Sequence, residues 1–178
     1  MNYTPGDLAL TLYQDAGEYI YMSYPWYVKD VTKKDLEMIK TAAERGVKVY
    51  ICYGIMPRKD KKGGYYKEDD LRSLSRTREC IKEWKKQLID SSKNGKDIVE
   101  FRPVDSHCKI ILCEKYALAG SQNMMSYRPE KWSKDVRNEI TIKYTNQRMI
   151  SELKKIIVEQ EECSDIDTIN INRFIHRR

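Results

Sequence analysis

The sequence predicts an α/β fold, in which a mixed central β-sheet has helices on both faces. Three patterns support this prediction: a strand–helix–strand run over 18–56, two adjacent strand-like segments over 107–123, and a strand followed by a helix over 138–162. A strand–helix–strand run favours a parallel pair, whereas two strands joined by a short turn pair antiparallel. The sheet should therefore contain both kinds of pairing.

The first half of the chain predicts a helix followed by a β-α-β unit. Asp7–Asp15 is the expected first helix, and EYIYMSYPW over 18–26 is rich in the aromatic residues that strands favour. A helical periodicity over 32–46 follows. VKVYICYGIM over 47–56 comes directly after it, and such an apolar run is typical of a strand buried on both faces.

The predicted helix over 32–46 has signals for both of its ends. Thr32 is the expected N-cap, with Asp35 three residues further on. Gly46 is the expected residue after the C-cap, where glycine is favoured. The apolar stripe consists of Leu36, Ile39 and Ala43.

The second half begins with a basic loop over 57–66 and a long helix from Lys67 to about Ser91. The apolar residues of this helix recur at spacings of three, four and seven, so we expect them in the core. They are Leu71, Leu74, Ile81, Trp84 and Leu88. The remaining predicted elements are a strand over 98–103, hairpin strands over 107–113 and 115–123 around Cys113–Lys115, a strand over 138–145 and a helix over 146–162.

One domain accounts for the whole pattern. The chain has 178 residues and shows no internal repeat or low-complexity linker. We expect a single domain over 1–162 and a C-terminal tail over 163–178. Because no apolar run is long enough to cross a bilayer and the first residues do not resemble a signal peptide, we expect a cytoplasmic protein that has no membrane partner.

The five cysteines do not predict a disulfide framework or a zinc site. Their number is odd, and no two of them have CxxC spacing. We expect reduced thiols, with Cys108 and Cys113 acting as small apolar residues within strands. No group of Asp, Glu and His has metal-ligand spacing either, so we expect no metal and no other cofactor.

The positive charge is concentrated in one segment. The chain has a net charge of +6, and residues 57–96 contain thirteen Lys and Arg against seven Asp and Glu, which is also +6. Such an excess suggests a polyanionic partner such as nucleic acid or anionic lipid. The alternative is an ordinary solvated helix face.

His107 and Lys109 stand two residues apart at the start of a predicted strand, so both should point to the same side. Two adjacent cations are costly to bury without an anion. Three further groups end the partner strand of the hairpin: Gly120, Ser121 and Asn123. An imidazole nucleophile, an ammonium group and neutral donors around one point suit a phosphodiester.

These residues resemble the HKD motif of the phospholipase D superfamily. The matching pieces are His107-Cys108-Lys109 and Gly120-Ser121-Gln122-Asn123. The resemblance extends over roughly residues 8–160, because the β-α-β unit looks like the first one of these domains. Glu139 matches the carboxylate that orients the catalytic histidine in the family. The resemblance implies a phospholipase D-like fold.

Two features depart from the family motif. Glu114 stands where the family has aspartate, and the stretch from it to Gly120 is one residue shorter than usual. In the family this acidic residue is mainly a structural element of the turn. We therefore expect a tightened hairpin with an intact site, since a two-residue hairpin loop is readily formed.

The resemblance also implies a mechanism that uses two histidines. His107 would attack phosphorus in one subunit and protonate the leaving oxygen from the other, so the chain is expected to form a homodimer with one shared site. Lys109 and Asn123 would hold the non-bridging oxygens, Ser121 would add a hydroxyl, and Glu139 would orient His107. The only other histidine, His176, lies in the expected tail.

A sequence-tolerant endonuclease is the first functional hypothesis, since compact members with one motif resemble nucleases. Such an enzyme could belong to a larger defence or repair system. The expected contacts to nucleic acid are Arg58, Lys59, Lys61, Lys62, Tyr65 and Arg128. The alternatives are a phospholipid phosphodiesterase or transferase, and an inactive module that binds nucleic acid without turnover.

Overall fold

The computed structural model describes residues 4–59, 66–90, 95–126 and 139–171 of the chain. The strands are β1 (Tyr19–Tyr24), β2 (Lys48–Tyr53), β3 (Val99–Pro103), β4 (Ile110–Cys113), β5 (Ala117–Gly120) and β6 (Thr141–Tyr144). The helices are α1 (Pro5–Asp15), α2 (Lys33–Glu44), α3 (Glu68–Lys85), α4 (Gly95–Ile98), α5 (Gln147–Val158) and α6 (Asp165–Thr168), and a π-helical turn over Lys86–Asp90 extends α3.

The strands form one mixed sheet in the order β3-β2-β1-β4-β5-β6. β1, β2 and β3 are parallel, as the β-α-β unit predicts, and β4, β5 and β6 pair antiparallel. β1 and β4 are the two central strands. The predicted α/β class is confirmed.

Two apolar clusters lie on opposite faces of the sheet. Ile111 of β4 belongs to the cluster that contains the buried sides of α1, α2 and α3. Its neighbours Ile110 and Leu112 belong to the other cluster, which α5 covers with Ile150 and Ile157. The alternation along β4 is that of a strand buried on both faces. Helices therefore lie on both faces, as predicted.

The first helix begins two residues earlier than predicted. Thr4 accepts a hydrogen bond from the Asp7 amide (3.2 Å), and the Asp7 carboxylate accepts one from the Thr4 amide (2.9 Å). This is a capping box. Pro5 occupies the first helical position, where its missing N–H group is no disadvantage.

Thr32 is the N-cap residue of α2, as predicted, but its side chain does not cap the helix. Thr32 makes no capping hydrogen bond; its hydroxyl donates to the Val28 carbonyl (3.0 Å) instead. Asp35 is fully buried and accepts a hydrogen bond from the Tyr13 hydroxyl (2.8 Å). The Thr32 hydroxyl also lies 3.4 Å from the Cys80 sulfur of α3, so both side chains contact neighbouring helices rather than the first turn of α2. The predicted end of α2 is confirmed, because Gly46 follows the C-cap residue and has a φ of 89°, which glycine favours.

The core positions predicted for the long helix are confirmed. Leu71, Leu74, Ile81, Trp84 and Leu88 are all buried. The α-helix ends at Lys85, and the π-helical turn continues it with Leu88 still in the core. In the described part of the chain, no helix combines the length and apolarity needed to cross a bilayer.

Residues 163–171, which the sequence places in the tail, pack against the sheet and α3. Ile166 is fully buried, and a side chain added to Gly54 would meet its Cγ2 atom at 2.5 Å. The Arg78 guanidinium donates hydrogen bonds to the carbonyls of Ile166 and Ile169 (2.5 and 2.8 Å). This short segment therefore covers the exit of β2.

Candidate active site

The two halves of the predicted motif meet at one edge of the sheet. β4 runs antiparallel to β1, so its start lies beside the carboxyl end of β1, where Ser23 pairs with Ile110. Ile110 also pairs with Ala119, which brings the end of β5 to the same edge. The Gly120 amide donates to the Lys109 carbonyl (3.3 Å), and this bond joins the two halves directly.

His107 and Lys109 precede β4 rather than forming its first residues. The ladder with β1 begins at Ile110, so the predicted strand is three residues too long at this end. His107 is exposed, and its imidazole makes no hydrogen bond with any described residue. Cys108 packs with Ile110 on the α5 side of the sheet. Cys108 thus anchors the segment, while the His107 ring is open to solvent.

Ser121 and Glu139 are held together at the exit of β5. The Ser121 hydroxyl donates to the Glu139 carboxylate and accepts from the Ile140 amide (3.1 Å). The Ser121 amide in turn donates to the Ile140 carbonyl (2.9 Å). A hydroxyl has one proton, so while Ser121 donates to Glu139 it cannot also donate to a phosphoryl oxygen. Glu139 thus bonds to Ser121 through one carboxylate oxygen, and the proposed role of Glu139 in orienting His107 stays a prediction.

Gly120 lies where the backbones of β5 and the segment before β6 approach closely. A Cβ atom built on Gly120 would be 1.9 Å from the Ile140 carbonyl oxygen. Only glycine fits at this position without moving the chain. Gly120 therefore allows the hydrogen bond between Ser121 and Glu139 to form.

Asn123 follows the end of β5 and is partly buried. Its Oδ1 atom is enclosed, and no described residue donates a hydrogen bond to it. Its carbonyl accepts from the Ser126 amide (3.1 Å). The next residues, Met124 and Met125, are buried in the core. The chain around Asn123 is therefore fixed from both sides.

Glu114 closes the hairpin between β4 and β5. The Cys113 amide donates to the Tyr116 carbonyl (3.0 Å), leaving two residues in the loop. The Glu114 carboxylate accepts from the amides of Gly17 (2.8 Å) and Glu18 (3.3 Å). Partial burial would raise the pKa of Glu114, but these backbone donors outweigh it and lower the pKa. Glu114 thus ties the hairpin to the start of β1.

The described part of the basic loop is attached to α3. Arg58 donates from its guanidinium Nε (2.8 Å) and Nη2 (3.0 Å) to the Asp70 carboxylate. Two of its donors are therefore engaged within the protein, which makes it a poorer contact for phosphate than the sequence suggests. The Lys59 ammonium lies 5.8 Å from the centroid of the Tyr66 ring. The other expected contacts, Lys61, Lys62, Tyr65 and Arg128, and also His176, lie outside the described residues.

The stem of the loop lies beside the candidate site. The Met56 amide donates to the Asp105 carboxylate (2.8 Å), two residues before His107. The Ser106 amide donates to the Gly54 carbonyl (3.4 Å). Both bonds join the exit of β2 to the segment that carries the histidine. The basic loop and His107 therefore leave the same edge of the sheet.

The cysteines and the possible metal ligands are poorer candidates for catalysis than His107. All five cysteines are free thiols. Burial raises the pKa of Cys52 to about 12 and that of Cys80 to about 11, so neither is a nucleophile at neutral pH. Over 4–59, 66–90, 95–126 and 139–171, no three His, Cys, Asp or Glu residues cluster as a metal site would require.

Several solved structures share this fold at low sequence identity. Phosphatidylserine synthase of Haemophilus influenzae is 16% identical to this chain, with a TM-score of 0.58. The matched region covers 96% of this chain and 39% of the synthase chain. TrmBL2, an archaeal chromatin protein, is 16% identical with a TM-score of 0.53, covering 88% of this chain and 50% of its own. NucT of Helicobacter pylori is 17% identical with a TM-score of 0.50, covering 88% and 89%. No family model and no curated protein matches the sequence.

These neighbours define the fold. The chain shares the fold of the synthase and NucT, which is the phospholipase D-like fold that the resemblance implied. It spans about half of the TrmBL2 chain and nearly all of NucT.

Proposed function

We propose that the chain is a metal-independent phosphodiesterase that cleaves nucleic acid through a phosphohistidine at His107. The observation that carries the proposal is the meeting of His107-Cys108-Lys109 with Gly120-Ser121-Gln122-Asn123 at one sheet edge, joined by the bond from the Gly120 amide to the Lys109 carbonyl (3.3 Å). The His107 ring is exposed and unpaired among the described residues, so it is free to attack phosphorus.

The roles of the other groups follow from their contacts. Lys109 and the Asn123 amide would hold the non-bridging oxygens of the phosphate. Ser121 and Glu139 act on each other in this arrangement, which suits them to shaping the pocket rather than to direct phosphate binding. Attack by the His107 nitrogen forms a P–N bond while the P–O bond to the leaving group breaks. Water then hydrolyses the P–N bond and regenerates the imidazole.

The leaving oxygen needs a proton, and one positioned acid contributes about a hundredfold or more. We propose that His107 of the partner subunit supplies it in a two-fold symmetric dimer. An exposed apolar surface beside the site supports this proposal. Ile140 is 68% exposed and directly follows Glu139, and Ile142 is 47% exposed. Ile142 pairs with Ala119, so it lies on the α5 side of the sheet.

The dimer can be tested by placing a charge on this surface. Ile142→Glu should convert the dimer to a monomer and reduce the cleavage rate at least tenfold, measured by light scattering and a cleavage assay. Val158→Glu is the matched control: Val158 is 42% exposed, but its carbonyl accepts a hydrogen bond from Arg102 on the β3 side of α5. A fully active monomeric wild type, or equal effects of both variants, would contradict the shared site.

The substrate class rests on the basic loop. It leaves the same edge as His107, and the segment 57–96 that begins with it carries the whole net positive charge. We therefore favour a nucleic acid over a phospholipid. Incubation with labelled single- and double-stranded DNA, RNA and phospholipid vesicles tests this choice. Cleavage of vesicle lipid alone would favour the phospholipase alternative, and binding without cleavage would identify an inactive module.

A further inference from the structure

A chain of partly buried polar contacts connects the His107 segment to the residues that follow α5. The Gln160 amide donates from Nε2 to the Ser106 hydroxyl (3.1 Å), and its Oε1 accepts from the Ser23 hydroxyl (3.0 Å). The Ser106 hydroxyl also accepts from the Cys108 amide (3.1 Å). Gln160 therefore bridges the central strand β1 and the segment that carries His107.

The burial of Ser23 indicates that this bridge is needed. Ser23 is fully buried in β1, where an unpaired hydroxyl would be costly. It pairs with Ile110, the first residue of β4, so it lies directly beside the entry to the candidate site. Gln160 is 137 positions away in sequence and satisfies this hydroxyl. A bond across such a distance fixes the end of α5 against the site.

The sheet reaches the His107 segment at Lys109, whose carbonyl accepts from the Gly120 amide (3.3 Å), so the residues before Lys109 need an anchor of this kind. Residues 105–109 lie outside any strand. The bonds that fix its first half are those of Asp105 to the Met56 amide, of the Ser106 amide to Gly54, and of the Ser106 hydroxyl to Gln160 and the Cys108 amide. The Ser106 hydroxyl links the residues on both sides of His107, because it belongs to the preceding residue and accepts from the amide of the following one, Cys108.

We infer that Gln160 is a positioning residue for His107, acting through Ser106 and the Cys108 amide. This inference rests on the proposed function, since it assigns a role in placing the attacking imidazole. Displacement of a reacting group by about 1 Å can cost roughly a hundredfold in rate. Loss of the Gln160 bridge should therefore lower the rate of the chemical step while leaving substrate binding nearly unchanged.

The test uses Gln160→Leu, which keeps the size of the side chain but removes both hydrogen bonds. We expect kcat for cleavage of a short oligonucleotide to fall about 10- to 100-fold, with KM within about twofold, and the Cys108 amide to exchange at least tenfold faster. Gln160→Glu should retain near wild-type kcat, because a carboxylate can accept from both serine hydroxyls. Glu161→Ala, at the next and exposed position, should behave as wild type in both measurements.

The outcomes separate the two claims. If Gln160→Leu keeps kcat within twofold and leaves Cys108 exchange unchanged, the positioning role is overturned. If the wild type does not cleave, or His107→Ala cleaves equally well, the proposed function fails, and Cys108 exchange still decides whether Gln160 holds the segment. Should Gln160→Leu not fold, Ser106→Ala removes the same acceptor and takes its place in both measurements.

Discussion

Gly120 offers the most direct structural prediction. In Gly120→Ala the new Cβ atom would lie 1.9 Å from the Ile140 carbonyl oxygen, whereas real Cβ atoms stay beyond 3.0 Å. The two backbones would have to separate by more than about 1 Å. Overpacking of this kind costs roughly 1–3 kcal/mol. The two bonds between Ser121 and Ile140 (2.9 and 3.1 Å) would be weakened as well, at about 1 kcal/mol each.

We therefore expect Gly120→Ala to lower the free energy of unfolding by about 3–5 kcal/mol, measured by urea denaturation. Since domains have about 5–15 kcal/mol in total, the substituted protein should still fold. Gly46→Ala is the matched control. Gly46 has a φ of +89° but no atom within 4 Å of a built Cβ, so its cost is only the backbone strain of about 1–2 kcal/mol.

Hydrogen exchange locates the effect of the substitution. The amides of Ser121 and Ile140 should exchange faster in Gly120→Ala and not in Gly46→Ala, and the cleavage rate should fall only in the former. If Gly120→Ala is no less stable than Gly46→Ala and its Ser121 amide exchanges as in wild type, the close approach described here does not exist.

Three further predictions concern charge and chemistry. Glu114→Gln should lower the free energy of unfolding by about 1 kcal/mol at neutral pH, measured by urea denaturation. Because the pKa of Glu114 is lowered in the folded state, this loss of stability relative to wild type should be complete above pH 4.5 and should disappear as the pH falls through the folded-state pKa. A loss of stability that does not change with pH would contradict this prediction. Replacing Lys61 and Lys62 by Glu should weaken nucleic-acid binding and lower the slope of log affinity against log salt by roughly one per lost contact, and an unchanged slope would show an ordinary solvated loop. Cleavage should persist in excess EDTA, and loss that magnesium restores would indicate another class of nuclease.

The sequence predicts the elements well because their signals are local. The periodicity of Leu71 and Leu74 lies within one helix, and Gly46 marks a stop that needs no tertiary context. The N-cap position of Thr32 is also a local signal, but the partners of its side chain are not. Its hydroxyl contacts the Cys80 sulfur of α3 and the Asp35 carboxylate accepts from Tyr13 of α1, and such distant partners are not visible in local sequence.

In the candidate site, too, the local features could be predicted from the sequence and the contacts between distant residues could not. The motif residues could be found from their spacing, and their meeting at one edge follows from the hairpin. The bond between Ser121 and Glu139 could not be found, because it joins residues 18 positions apart across an unpredicted close approach. Gln160 was missed altogether. A glutamine after a helix carries no sequence signal, and its importance comes from a contact with Ser23 far away in the chain.

The proposed mechanism requires a covalent bond between His107 and phosphorus. The most direct measurement traps the intermediate: the protein is mixed with end-labelled oligonucleotide, denatured without acid and analysed for a labelled, acid-labile adduct. The chain has two histidines, so His176→Ala is a matched control for His107→Ala. The adduct should form on wild type and on His176→Ala, map to the peptide containing residue 107, and be absent from His107→Ala. An adduct that persists in His107→Ala, or one that disappears in His176→Ala alone, would contradict the mechanism.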